Sequence, residues 1–140
     1  MLLRKSGEVG QLGISNCYDL DVLKYLFNNA KVKPSIVQNR FYAQSDYDKE
    51  IRSFCNENHI TYESFWSLTA NPNILSHEVL QNLALKYEKG VAEIFYRFLN
   101  HINIVPLNGT TSLKHMIEDL KIGEFELTRE EINSIYNLLN

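Results

Sequence analysis

Short apolar runs alternate with stretches of helical period along the whole chain, and few folds accept that rhythm. Residues 11–15, 35–38, 60–66 and 103–106 have the length and composition of strands, the third rich in Thr, Tyr, Phe and Trp. Between the first two, Asp19 is placed to cap a helix on which Leu20, Leu23, Phe27 and Ala30 recur at helical spacing. The next helix runs from about Asp46 and sets Tyr47, Ile51, Phe54 and Cys55 on one face. After the turn at Asn71, Pro72 and Asn73, Ser76 is placed to cap a helix turning Val79, Leu80, Leu83, Ala84 and Tyr87 inward. Gly90 breaks that helix, and Ile94, Phe95, Phe98, Leu99 and Ile102 mark the one that follows. Leu113, Met116, Ile117 and Leu120 form a further regular stripe. The last helix opens on a Thr128–Glu131 capping box with Ile132, Ile135 and Leu139 behind it.

The order is therefore βαβαβααβαα. Strands separated by helices pair in parallel through right-handed crossovers, so the fold class is α/β. Four strand-helix units suit an open doubly wound sheet or half of an eight-stranded barrel, and periodicity alone does not separate them. At 140 residues one domain with a real core is expected. A net charge of −3 leaves no basic footprint for nucleic acid. No apolar run approaches the ~20 residues of a membrane-spanning helix. Cys17 and Cys55 are too few for a disulfide framework and lack metal-ligand spacing, so a cytoplasmic location is expected.

Several strand ends carry groups with binding chemistry. Ser15 and Asn16 offer a hydroxyl and an amide that match a carboxamide's donors and acceptors, although such a pair also begins turns and caps helices. Phe65 presents a π-face, but one of Phe65 and Trp66 faces the core by alternation whatever the function. The loop 108–112, ahead of a helix, has the small hydroxyls and backbone N–H groups of an anion-binding start, including Gly109, Thr110 and Thr111. His59, His77 and His101 lie at helix ends or turns without metal-ligand partners and read as surface or capping residues. Cys17 has no identifiable base beside it and reads as a small apolar filler, and Asp46, Asp48 and Glu50 as an acidic first helical turn.

Five ordered segments resemble the aldo-keto reductase family. The stretch Gln11, Leu12, Gly13, Ile14, Ser15, Asn16 is similar to a family strand ending in Gly-(Val/Ile)-Ser-Asn. The stretch from Pro34 to Tyr42 resembles the next strand, whose Gln is Gln38. Residues 62–68, ending in Phe65, Trp66, Ser67 and Leu68, stand where the family has its aromatic-Ser-Pro-Leu segment. Residues 104–106, 115–120 and 125–127 resemble the final strand, the adenosine-side helix and a closing Phe-Glu-Leu. The sequence variants resemble a fungal-type branch.

The resemblance implies the C-terminal half of a (β/α)8 TIM barrel, a partial barrel of about four parallel strand-helix units truncated at its N-terminal side. It implies an NAD(P)H-dependent oxidoreductase of aldehydes or ketones, with NADP or NAD as cofactor. Ser15, Asn16, Gln38, Phe65 and Leu68 would lie on the nicotinamide side, and Gly109, Thr110, Thr111, His115, Glu118 and Asp119 on the adenosine side. Where many relatives carry a Lys and an Arg for the 2′-phosphate, this chain has Leu107 and His115, which weakens the case for NADP selectivity. The family's Asp-Tyr-Lys-His tetrad belongs to earlier units, so no catalytic residue is carried over and the chain alone is expected to be inactive. A four-stranded piece would expose two edges, so a homodimer or a partner covering them is expected. The alternative is a non-catalytic pseudoenzyme or protein-interaction module.

Overall fold

The computed structural model describes residues 7–139. Strand β1 (Gly13–Ser15) leads through α1 (Leu20–Asn29) to β2 (Ile36–Arg40). A 3-10 segment (Ala43–Asp48) and α2 (Lys49–Glu57) precede β3 (Thr61–Phe65). Then come α3 (Pro72–Leu75), α4 (Glu78–Tyr87), α5 (Val91–His101) and β4 (Ile104–Pro106). After β4 follow α6 (Leu113–Leu120), a 3-10 turn (Ile122–Glu124), α7 (Arg129–Tyr136) and a last 3-10 turn (Asn137–Leu139). All four expected strands form, with ends shifted by one or two residues.

The strands are parallel and lie in chain order, β1-β2-β3-β4. A doubly wound sheet reverses its order at a switch point, and this one does not. Register aligns Ile14, Val37, Tyr62 and Ile104 in one row, with Val37, Tyr62 and Ile104 buried. The adjacent row, Ser15, Gln38, Glu63 and Val105, is exposed or half-buried. Helices therefore cover one face of the sheet, and β1 and β4 are its edges.

The covered face meets Ile94, Phe95, Phe98 and Leu99 of α5, all fully buried, together with Leu23, Leu80 and Ile135. Each such side chain contributes about 1.5–3 kcal/mol on leaving water. The α5 stripe was legible from spacing alone. The α6 stripe was equally legible but does not enter the core: Leu113, Met116, Ile117 and Leu120 are all exposed.

Two local expectations are corrected. The helix expected from about Asp46 starts at Lys49, because Asp46, Tyr47 and Asp48 take φ of 49°, 50° and 53°. This left-handed stretch turns Asp48 inward, where its carboxylate accepts from Asn39 Nδ2 at 2.7 Å and from the Tyr62 hydroxyl at 2.9 Å. Asp48 is thus a buried acceptor, not a solvated first-turn acid. Burial and the Asp48 charge push the Tyr62 hydroxyl well above its ordinary pKa, which keeps it a donor. The helix expected behind Ser76 is instead capped by His77, whose Nδ1 accepts from Val79 N–H at 3.2 Å. Ser76 is held in the preceding turn, since Pro72 starts α3 and Ser76 donates back to the Asn73 carbonyl.

Asn39 completes the buried network. Its Oδ1 accepts from Cys17 N–H at 2.9 Å, and its Nδ2 donates to the Cys17 carbonyl at 2.7 Å. Replacing Asn39 with Ala would strand the Cys17 backbone groups and remove one donor from a buried carboxylate. An expected loss of about 2–4 kcal/mol follows, readable as a shift in the urea midpoint; a loss below about 1 kcal/mol would contradict the account.

The α7 capping box forms as expected, with Thr128 N–H donating to Glu131 at 2.7 Å. Burial alone would raise the Glu131 carboxyl, but hydrogen bonds from Lys86, Tyr87 and Thr128 outweigh it and hold the group down at about 2. A depressed folded-state pKa contributes stability above the unfolded value and loses it as pH falls from about 4.5 toward about 2. Glu131→Gln should therefore lower stability at pH 7 and narrow its gap to the parent by pH 3, measured by denaturant melts at both.

Candidate functional site

Strands β1, β2 and β3 end side by side, and each hands the chain to a tight turn at the same end of the sheet. Asn16 leaves β1 with φ 58°, its N–H donating to the Gln38 carbonyl at 3.0 Å. Its Nδ2 donates to Ser15 Oγ at 3.2 Å, and the Tyr18 hydroxyl donates to its Oδ1 at 3.3 Å. Ser15 and Asn16 are both exposed. Gln38 pairs in register with Ser15 on one side and Glu63 on the other, and its Nε2 donates to the Glu63 carboxylate at 2.9 Å. Three expected residues thus share one open corner of the sheet.

Phe65 closes β3 and pairs with Arg40. Trp66 then turns left-handed at φ 58°. The strand stops before alternation places either aromatic in the core, so Phe65 is half-buried and Trp66 is 55% exposed. The turn is fastened from beneath, where Ser67 Oγ donates to Ser64 Oγ at 2.8 Å. Asn71 Nδ2 donates to the Phe41 and Ser67 carbonyls, each at 2.8 Å.

From this turn a groove runs toward α6. A cleft of about 420 Å³ is lined by Phe65 to Thr69, Tyr96, Leu107, Asn108 and Gly109. A second, of about 430 Å³, is lined by Leu68, Gly90, Glu93, Tyr96, Asn108 to Thr110, Lys114, His115, Glu118 and Asp119, among others. Leu68, Tyr96, Asn108 and Gly109 line both, so the two clefts adjoin. The groove collects Phe65, Leu68, Gly109, Thr110, His115, Glu118 and Asp119 of the expected residues. Ser15, Asn16 and Gln38 lie outside it at the sheet corner, and Thr111 is exposed without lining it.

The loop ahead of α6 is built as a helix start. Ser112 Oγ accepts from His115 N–H at 3.4 Å, and Thr110 Oγ1 accepts from Ser112 N–H at 3.1 Å. A Cβ at Gly109 would meet nothing within 4 Å, so the chain's own packing does not demand glycine there.

Acidic groups dominate the far end of the groove. Glu93 accepts from Gly90 N–H at 2.7 Å and lies 3.4 Å from Lys89, while Glu118 lies 3.6 Å from Lys114. Asp119 is raised, first by burial and then by Glu118 and Glu93, against a lowering by His115. Burial and the Asp119 charge push Tyr96 up to about 12, making it a weak proton donor. Arg40, Tyr96 and Lys114 were missed in the sequence. Arg40 was findable, since period-2 alternation places it on the same face as Gln38; nothing in spacing pointed to Tyr96 or Lys114.

Among the described residues no helix is long and apolar enough to cross a membrane, and no group of three His, Cys, Asp or Glu is placed to hold a metal.

The model of the Aldo/keto reductase family matches residues 2–140. Glyoxal reductase of Bacillus subtilis is 30% identical over 133 residues, covering 95% of this chain and 47% of that protein. The chain spans about half the length of the curated relatives it matches. Among solved structures, the aldo-keto reductase MGS-M4 from a Medee basin deep-sea metagenome library overlays with a TM-score of 0.87 at 26% identity. That overlay covers 99% of this chain and 51% of that one. A point mutant of Gox0644 in complex with NADPH overlays with a TM-score of 0.84 at 23% identity, covering 98% of this chain and 49% of that one. The strand order and these overlays answer the choice that periodicity left open, in favour of half a barrel. The chain belongs to the aldo/keto reductase family.

Proposed function

We propose that these residues form the cofactor side of an NAD(P)H-dependent oxidoreductase acting on aldehydes or ketones. The carrying observation is the pair of adjoining clefts, one lined by Phe65 and the other by Glu118 and Asp119, with Leu68, Tyr96, Asn108 and Gly109 common to both. Ser15, Asn16 and Gln38 would hold a carboxamide at the sheet corner, with Phe65 against the nicotinamide ring. Leu68, Gly109 and Thr110 would line the middle, with Thr111 beside them on the same loop. His115, Glu118 and Asp119 would meet the adenosine end. A bound reduced nicotinamide supplies the hydride. The chain's own residues would orient that group at the open sheet corner.

A carbonyl reduction also needs a proton donor, worth ~10²–10⁴-fold in rate. Tyr96 lines both clefts, and burial and the Asp119 charge push its hydroxyl up to about 12. By the family resemblance, no residue of this chain matches the family's proton donor. Purified chain with either cofactor should then show no aromatic-aldehyde turnover above background, and steady turnover would overturn that part. The same sample in light scattering reads whether the open β1 and β4 edges pair with a second copy, a monodisperse monomer counting against it.

Cofactor choice follows from charge. By the family resemblance, Leu107 and His115 stand in place of a Lys and an Arg for the 2′-phosphate, and Glu93, Glu118 and Asp119 line one cleft with Lys114 beside them. Isothermal titration should find NADH and NADPH both binding, with affinities within about tenfold of each other, about 1.4 kcal/mol. Absence of saturable binding by either would overturn the proposed function.

A further inference from the structure

Arg40 sits at the end of β2 with its guanidinium 4.3 Å from the Trp66 ring centroid and 5.3 Å from that of Tyr42. Among the described residues no carboxylate pairs with it. Glu63, on the neighbouring strand of the same sheet face, accepts from Gln38 instead. Arg40 Nε is buried with no hydrogen-bond partner. The Trp66 that covers it is 55% exposed and held at φ 58°, in the left-handed region that bulky residues avoid.

Each feature is unfavourable by itself: an unpaired cation, an orphaned donor, an exposed indole and a strained backbone. They coincide at one spot, at the end of the sheet where the proposed nicotinamide residues lie. Strain and unsatisfied groups that persist together mark places shaped for a ligand. The aromatic rings flank the guanidinium and supply no hydrogen bond, and with Nε buried its two terminal nitrogens remain for a planar oxyanion. A fork of that kind matches a carboxylate through two parallel hydrogen bonds.

We infer that Arg40, clamped by Trp66 and Tyr42, recognises the carboxylate of a carbonyl substrate of the 2-oxo acid class. This deepens the proposed function and rests on it for the identity of the neighbouring groups. Gln38 stands two residues earlier on the same strand face, and Phe65 is the register partner of Arg40. Both belong to the proposed nicotinamide corner, so an anion held here lies next to the hydride-accepting carbon and not near the phosphate loop at Gly109 to Ser112. A carboxylate adjacent to the carbonyl meets that geometry.

Trp66 is the single Trp of the chain, so its fluorescence reports on this spot directly. The probe is oxamate, a non-reducible isostere of a short 2-oxo acid, titrated into the purified chain with and without saturating NADPH. Lactamide serves as a neutral control and inorganic phosphate as a competing oxyanion. The expected result is a saturable Trp66 response to oxamate, none to lactamide, a weaker one to phosphate, and at least a tenfold loss of oxamate affinity in Arg40→Gln. If that variant does not keep the parent's circular dichroism and melting point, Arg40→Lys carries the test. It keeps the charge and loses the fork, and severalfold weaker binding is expected.

An equal response in the parent and the variant, a response to lactamide, or tighter binding of phosphate than of oxamate would overturn the inference. No response to oxamate would also overturn it. The titration with NADPH alone separates the two claims. NADPH binding without oxamate binding sinks this inference and leaves the cofactor reading standing. Arg40-dependent oxamate binding without NADPH binding sinks the cofactor reading and, with it, the assignment of the bound carboxylate to a substrate, leaving a carboxylate site at Arg40.

Discussion

A carboxylate buried between a sheet and its helices must find donors within hydrogen-bond reach or become prohibitively costly. Asp48 is 4% exposed and finds two, the amide of Asn39 from β2 and the hydroxyl of Tyr62 from β3. Asn39 spends its remaining hydrogen bonds on both backbone groups of Cys17, just past the end of β1. One acid thus ties three strands and the 3-10 connection together at the end of the sheet where Ser15, Asn16, Gln38 and Phe65 lie. The left-handed run from Asp46 to Asp48 costs conformational energy, and these charge-assisted hydrogen bonds offset it. Local helix propensity therefore loses to a tertiary demand, and α2 begins three residues late.

Alternation along each strand separates two kinds of requirement. Val37, Tyr62 and Ile104 point to the helices and answer to packing, whereas Ser15, Gln38, Glu63 and Val105 point the other way. Asn39 and Ser64 show that the boundary is not simply apolar against polar. Both are fully buried, and both support the turns that carry the open-face groups. A one-residue slip of β2 would exchange Gln38 with Asn39, losing the buried network and the open-face amide in a single step.

Much of this was legible in the residues. The four strands, the α1 cap at Asp19, the α5 stripe and the Thr128–Glu131 capping box rest on local chemistry, and each is present. Ordered motifs, not rhythm, singled out half a barrel from an open sheet. The misses share a cause: they depend on groups far apart in the chain. His77 takes the cap because Pro72 draws Ser76 into an earlier turn. The α6 stripe of Leu113, Met116, Ile117 and Leu120 has perfect helical spacing, yet the described residues offer it no apolar surface to cover. Of the eleven expected site residues, the seven in the groove come from two separated segments that only the fold brings together. Tyr96 and Lys114 join them from helix faces that no spacing rule distinguishes.

The same corner of the sheet holds opposite electrostatic solutions. Asp48 is buried, charged and satisfied, so it rigidifies the turns around it. Arg40, one residue from Asn39 on the opposite face, is half-buried, charged and has no partner among the described carboxylates. A chain selected for stability alone would pair Arg40 with Glu63 across the β2–β3 register, since a diagonal neighbour on one face is within reach of two long side chains. Gln38 occupies that carboxylate instead, at 2.9 Å. The consequence is a fixed amide and an uncommitted guanidinium side by side, the first oriented by Glu63 and the second by Trp66 and Tyr42. Preorganised donors with free valence are what a polar ligand needs in order to bind without first breaking protein hydrogen bonds.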